Sequence, residues 1–128
     1  MKSVVICSSR RFKKEVLEWA EELKKSNINV YIPFHNVNNN IMKIDEDLKD
    51  YSFHGLVRHH MDFVRKAEVI FVYNKDGYVG NSTIAEIGAA HVLNKPVFAL
   101  TKEVEDNSIK VLIDEEVKTA KDLIKKLL

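Results

Sequence analysis

The sequence predicts a single α/β domain in which a five-stranded parallel sheet lies between two layers of helices. Three observations predict it. Short apolar runs recur without polar alternation, as strands covered on both faces require. Each run is followed by a stretch with the period of an amphipathic helix, so that strand and helix alternate along the chain. The 128 residues suit one domain and contain neither an internal repeat nor a linker. Short buried strands joined through helices demand right-handed crossovers, hence a parallel sheet with helices on both faces. That is a flavodoxin- or Rossmann-like three-layer sandwich.

Val4-Val5-Ile6-Cys7 is the first strand. Ser8-Ser9-Arg10-Arg11 turns the chain. Phe12, Val16, Trp19, Ala20 and Leu23 then share one helical face, with charged residues on the other. Ile28-Asn29-Val30-Tyr31-Ile32 reads as a second strand, stopped by Pro33. Residues 34–42, with Asn36 and Asn38-Asn39-Asn40, read as a loop, because Asn tolerates left-handed backbone. A short helix is expected over 43–49 and a longer one over 53–66, with Leu56, Val57, Met61, Phe63 and Val64 as its apolar members. Val69-Ile70-Phe71-Val72-Tyr73 is the third strand, and 74–81, holding Gly77 and Gly80, is a loop. A helix follows over 83–93, turning Ile84, Ile87, Ala90 and Leu93 inward, and Asn94-Lys95-Pro96 ends it. Val97-Phe98-Ala99-Leu100 is the fourth strand, 109–113 the fifth, and 119–127 the last helix, with Thr119 and Asp122 at the spacing of an N-terminal cap.

Lys and Arg number 20 against 19 Asp and Glu, a net charge of +1. Binding duplex nucleic acid through its phosphates requires a basic excess or stripe. Here Lys and Glu are interleaved, so no nucleic-acid partner is expected, whereas a small anionic ligand fits. No segment approaches the ~20 apolar residues of a membrane span, and the run ending at Cys7 is too short for a signal sequence. A cytoplasmic protein without membrane attachment is expected. Cys7 has no second cysteine to pair with and no His near it in sequence, so it reads as a small buried side chain.

In open parallel sheets, ligands bind beyond the carboxyl ends of the strands. That rule directs attention to the loops 8–11, 33–42 and 74–83. In the third, Gly80-Asn81-Ser82-Thr83-Ile84-Ala85-Glu86-Ile87-Gly88-Ala89-Ala90 sets Glu86 in the first turn of a helix. Thr83-x-x-Glu86 fits a capping box, in which Glu86 satisfies a free backbone N–H, and on pattern alone that reading is the simpler. An ionised carboxylate at the strand ends can also act as nucleophile, or stabilise positive charge developing on a sugar carbon. Asp62 has the same two sides: a solvated helix residue paired with Arg65 or Lys66, or a second working carboxylate.

His54, His59 and His60 lack the i, i+4 spacing and a cysteine partner, and His35 and His91 stand alone, so no metal site is expected. Ser8-Ser9-Arg10-Arg11 offers hydroxyls, guanidinium forks and the first N–H groups of a helix, the inventory of a phosphate site. It lacks the glycines of a dinucleotide fingerprint and the Gly-Lys-Ser/Thr of a P-loop. Nicotinamide cofactors and ATP hydrolysis are therefore not expected, and no other cofactor is implied.

Taken together, Asp62-Phe63-Val64-Arg65-Lys66-Ala67-Glu68-Val69-Ile70-Phe71-Val72, the Gly80 to Ala90 segment and Asn94-Lys95-Pro96-Val97 resemble the nucleoside 2-deoxyribosyltransferase superfamily. Within it, the chain looks most like the 2′-deoxynucleoside 5′-monophosphate N-glycosidases. The resemblance implies that Glu86 is the nucleophile that attacks C1′ and that Asp62 orients the substrate and assists proton transfer to the departing base. It implies that Ser8, Ser9 and Arg10 hold a 5′-phosphate, that His59 contributes to the same site, and that Gly80 and Ser82 line it. A small nucleotide or nucleoside is the implied partner, in a homodimer or larger assembly. The expected activity is hydrolysis or transfer of the N-glycosidic bond of a nucleoside 5′-monophosphate. The alternatives are 2-deoxyribosyl transfer between free nucleosides, or nucleotide sensing without turnover. Val4 and Val5 stand where members of the family carry Tyr, and Gly80 where many carry Asp or Ser, which is what speaks for sensing.

Overall fold

The computed structural model describes residues 2–33 and 46–128. The loop expected over 34–42 and the start of the helix expected over 43–49 lie outside the described residues. The elements in chain order are β1 (Ser3–Ser8), α1 (Lys13–Lys25), β2 (Asn29–Tyr31), α2 (Glu46–Lys66), β3 (Val69–Tyr73), α3 (Asn81–Val92), β4 (Val97–Ala99), α4 (Asn107–Lys110), β5 (Glu115–Glu116) and α5 (Ala120–Leu127). The strands form one five-stranded sheet in the order β2-β1-β3-β4-β5, and every neighbouring pair is parallel. The expected three-layer α/β fold is therefore present.

Strand periodicity divides the core into two. Val4 and Ile6 of β1 and Val69, Phe71 and Tyr73 of β3 face α1 and α5, where they meet Phe12, Val16, Ala20, Leu23, Leu123 and Leu127. Their neighbours Val5, Cys7, Ile70 and Val72 face α2 and α3, against Val64, Ala67, Ile87 and Ala90. Both faces of β1 and β3 are thus covered, which is why their sequences are apolar without alternation. The amphipathic face read for α1 is the buried one, with Trp19 stacked on Phe71 at 4.6 Å between ring centres.

Helix ends follow local chemistry. Asn27 and Asn94 adopt left-handed backbone (φ 63° and 58°) just beyond α1 and α3, the role Gly or Asn plays at a helix C-terminus. The Lys95 ammonium donates to the carbonyls of Arg65 and Ala67, tying the end of α2 to the approach of β4. Thr119 caps α5, its hydroxyl accepting from the Asp122 N–H at 3.2 Å.

Three boundaries differ from the sequence expectation. Residues 46–66 form one continuous helix, because Asp50, Tyr51 and Ser52, which separate the two expected helices, include neither the proline nor the glycine that interrupts a helix. Leu93 is exposed rather than inward, since α3 ends at Val92 before the next inward turn. Residues 107–110 are helical, not strand: Asp106 accepts from the Ser108 N–H at 2.9 Å and starts α4, and the buried Ile109 and Ile113 sit on successive turns. The fifth strand lies later, at Glu115–Glu116, paired with Phe98 and Ala99.

Candidate active site

The reversal of strand order falls between β1 and β3, where crossovers leave to opposite sides and a crevice opens beyond the strand ends. A cleft of about 250 Å³ occupies that position. Its floor holds His60 and Glu86, its mouth Ser8, Ser9 and Arg10, and one wall is formed by the start of α3 from Gly80 to Thr83. Phe53, Leu56 and Val57 of α2 form an apolar wall opposite.

Glu86 enters by helix geometry. Helix α3 begins at Asn81 with Gly80 as N-cap, so Thr83 is its third residue and Glu86 its sixth. The capping box is absent: Gly80 has extended backbone, no side chain caps the helix, and its first turn contains no acidic residue. Glu86 instead points inward beside Ile87, where the residue is only 6% exposed. Gly80 needs no special backbone, and a side chain there would meet open space.

His60 is the partner that sequence reasoning missed. Its Nε2 lies 3.2 Å from Glu86 Oε2, within ion-pair distance but out of hydrogen-bond alignment, and 3.6 Å from Cys7 Sγ. Glu86 Oε2 and His60 Nδ1 are both buried without a hydrogen-bond partner among the described residues. Burial first, then the adjacent Glu86 carboxylate and a hydrogen bond to it, push the Cys7 thiol well above its ordinary range. Cys7 is thus a protonated thiol at neutral pH, not a nucleophile. It occupies the last inward position of β1 on the α2/α3 side, which is why residues 53 and 79 positions further along meet it.

The same helical arithmetic removes two expected residues from the cleft. Phe53, Leu56, Val57 and His60 stand at i, i+3, i+4 and i+7, one face of α2. Asp62 is two residues past that face; its carboxylate is exposed and accepts from Arg65 Nη1 at 2.6 Å. His59 is one residue before it and packs edge-on against Phe63 with ring centres 4.5 Å apart. The solvated ion pair is therefore the observed state of Asp62, and neither residue lines the cleft.

At the mouth, Ser9 caps a single 3-10 turn, its Oγ accepting from the Arg11 N–H at 3.3 Å and keeping its own proton free to donate. Ser8 Oγ stands 3.1 Å from two carbonyls, those of Ser9 and Tyr73, and has one proton to share between them. The Arg10 guanidinium lies over the Phe53 ring, 5.7 Å from its centre, and is otherwise exposed. Ser82 is exposed in the first turn of α3, beside N–H groups that no side chain caps. Arg10, Ser9 and the α3 N-terminus thus present positive character to one rim of the cleft. Val4 and Val5 are fully buried in the two halves of the core, so Cys7 is the β1 residue in contact with Glu86.

No family model matches the chain, and no curated protein does. Solved structures do. A 2-deoxyribosyltransferase from the psychrotolerant bacterium Bacillus psychrosaccharolyticus, characterised as a biocatalyst for nucleoside synthesis, superposes with a TM-score of 0.70 over 95% of this chain and 90% of that one, at 19% identity. A conserved protein from Enterococcus faecalis V583 superposes with a TM-score of 0.63 over 99% of this chain and 97% of that one, at 14% identity. At such identities the likeness is one of fold, and the chain has the fold of that 2-deoxyribosyltransferase over nearly its whole length.

Proposed function

We propose that the protein cleaves the N-glycosidic bond of a nucleoside 5′-monophosphate, with Glu86 as nucleophile. The observation that carries the proposal is a buried carboxylate oxygen without a hydrogen-bond partner among the described residues, on the floor of a cleft whose rim suits a phosphate. Leaving such an oxygen unpaired costs about 1–3 kcal/mol or more, a cost that a stable core has no reason to bear and a reactive group does. The cleft lies just below the usual ~300–1,000 Å³ of small-molecule pockets. Sugar and base fit inside it, the base against Phe53, Leu56 and Val57, with the phosphate at the mouth on Ser9, Arg10 and the start of α3.

In the proposed reaction Glu86 forms a bond to C1′ as the C1′–N bond breaks through an oxocarbenium-like state. The base departs with the bonding electron pair and takes a proton. His60, in van der Waals reach of Glu86 and open to the cleft, replaces Asp62 as the proposed source of that proton. Water then attacks C1′, frees the sugar phosphate and restores the carboxylate. With a second base in place of water the same intermediate gives transfer. The fold shared with a 2-deoxyribosyltransferase supports that second reading.

The test is release of free base from a panel of ribo- and deoxyribonucleosides and their 5′-monophosphates, with and without an acceptor base, with Glu86→Ala alongside. Release by the native chain and none by the variant is the expected result. Ligand binding without release from any member would replace the proposal with nucleotide sensing.

A further inference from the structure

We propose that Cys7, His60 and Glu86 form a binding site for a zinc-class divalent cation, reached from the cleft. Three elements each supply one ligand atom: Sγ from the end of β1, Nε2 from α2 and a carboxylate oxygen from α3. All three residues are buried, and these atoms lie within 4.8 Å of one another. The individual separations are more telling, at 3.6 Å from Sγ to Nε2 and 3.2 Å from Nε2 to Oε2. A tetrahedral zinc ion with bonds of ~2.3 Å to sulfur and ~2.0–2.1 Å to nitrogen and oxygen spaces its ligand atoms roughly 3.3–3.6 Å apart. Two edges of that tetrahedron are thus already in place.

The second observation is independent of the residue types. Glu86 Oε2 lies 3.2 Å from His60 Nε2, is buried, and has no hydrogen-bond partner among the described residues. A cation between the three atoms supplies what the carboxylate lacks. The donor set also chooses the ion, because a thiolate beside an imidazole favours zinc over magnesium or calcium. His60 and Glu86 open on the cleft, so the ion enters there and the fourth corner is left to water. On binding, the Cys7 thiol loses its proton to solvent, and thiolate, neutral imidazole and carboxylate coordinate the metal. One consequence rests on the glycosidase reading: a carboxylate committed to zinc no longer attacks C1′, so the occupied site is switched off.

The test uses the full chain and the metal alone: a chelator-buffered Zn²⁺ titration by calorimetry, with Co²⁺ as the absorption probe. One ion per chain and a thiolate-to-cobalt charge-transfer band are expected. Cys7→Ser abolishes the band. His60→Gln weakens binding by more than about tenfold, since losing a ligand exceeds the ~10–100-fold cost of losing an outer-shell partner. A native Co²⁺ spectrum without the thiolate band overturns the site whether or not either variant folds, as does undiminished affinity in both folded variants. Base release with chelator and with saturating Zn²⁺ reads the consequence separately. Zinc binding with unchanged release overturns the switch, while no release even in chelator counts against the glycosidase reading and leaves the site standing.

Discussion

Two polar clusters lie beyond the strand ends, one spanning β3, β4 and β5 around the buried Asn74, the other spanning β1, α2 and α3 around the buried Glu86, and they differ in how their polar atoms are partnered. In the first, Asn74 is fully buried, its Nδ2 donating to the Thr101 carbonyl at 3.0 Å and its Oδ1 accepting from the Thr101 N–H at 3.1 Å. Thr101 Oγ1 accepts from the Glu103 N–H at 3.0 Å, and Glu116 Oε2 accepts from the Lys102 N–H at 2.8 Å. The loops after β3 and β4 are thereby clamped together and to the edge strand. In the second, Glu86 and His60 each keep a buried polar atom without a hydrogen-bond partner among the described residues. A satisfied buried network rigidifies, whereas an unsatisfied one is open to a further partner such as a bound ligand.

Substitutions at Glu86 and Asn74 should affect activity and stability in opposite ways. Glu86→Gln carries the largest effect: base release should fall by more than about a thousandfold, ~4 kcal/mol of transition-state stabilisation. Its stability by urea denaturation should stay within about 1 kcal/mol of native, because the amide keeps the shape of the carboxylate and its oxygen can still accept from the Cys7 thiol. Asn74→Ala reverses the pattern. It leaves the Thr101 N–H and carbonyl buried and unpaired and should cost ~2–4 kcal/mol of stability, with base release per folded molecule close to native. A variant of Asn74 that lost activity without losing stability would erase the distinction.

Smaller effects sharpen it. Arg10→Ala, at the rim, should narrow the preference for monophosphates over free nucleosides by about tenfold, the value of one hydrogen bond to a charged group (~1.5 kcal/mol). An unchanged preference, read as the ratio of kcat/KM values, would remove Arg10 from phosphate binding. The smallest effect is in the clamp. The Lys102 N–H holds the Glu116 carboxyl below its ordinary value of 4.5. The folded state therefore binds that proton less readily than the unfolded chain, so Glu116 contributes stability above about pH 4.5 that is lost as the pH falls through its lowered folded value. Glu116→Gln should flatten that part of the acid limb in a denaturation series from pH 6 to 3; an unaltered slope would contradict the assignment.

The sheet was legible in the sequence where burial is two-sided, as at Val69-Ile70-Phe71-Val72-Tyr73, and illegible at β5, whose Glu115 and Glu116 are exposed and carry no apolar signature. Ile109 and Ile113 misled because short apolar runs suit either period, and the Asp106 cap decided for helix. Glu86 could be found because its loop has a recognisable pattern. His60 could not be found from its neighbours His59 and Asp62, which share its segment but not its face. The usable signal was its register with Phe53, Leu56 and Val57, an apolar helical stripe with a histidine in it. Cys7 gave no signal at all, since its contacts are made across 53 positions of sequence.

A covalent bond between Glu86 and C1′ is the proposed intermediate. The most direct measurement is mass spectrometry of protein quenched in acid during turnover of a deoxyribonucleoside 5′-monophosphate and digested to peptides. A sugar-phosphate ester is expected on the peptide containing Glu86, absent when Glu86 is Gln. Base release that proceeds at full rate in that variant, or an adduct carried by a different residue, would contradict it.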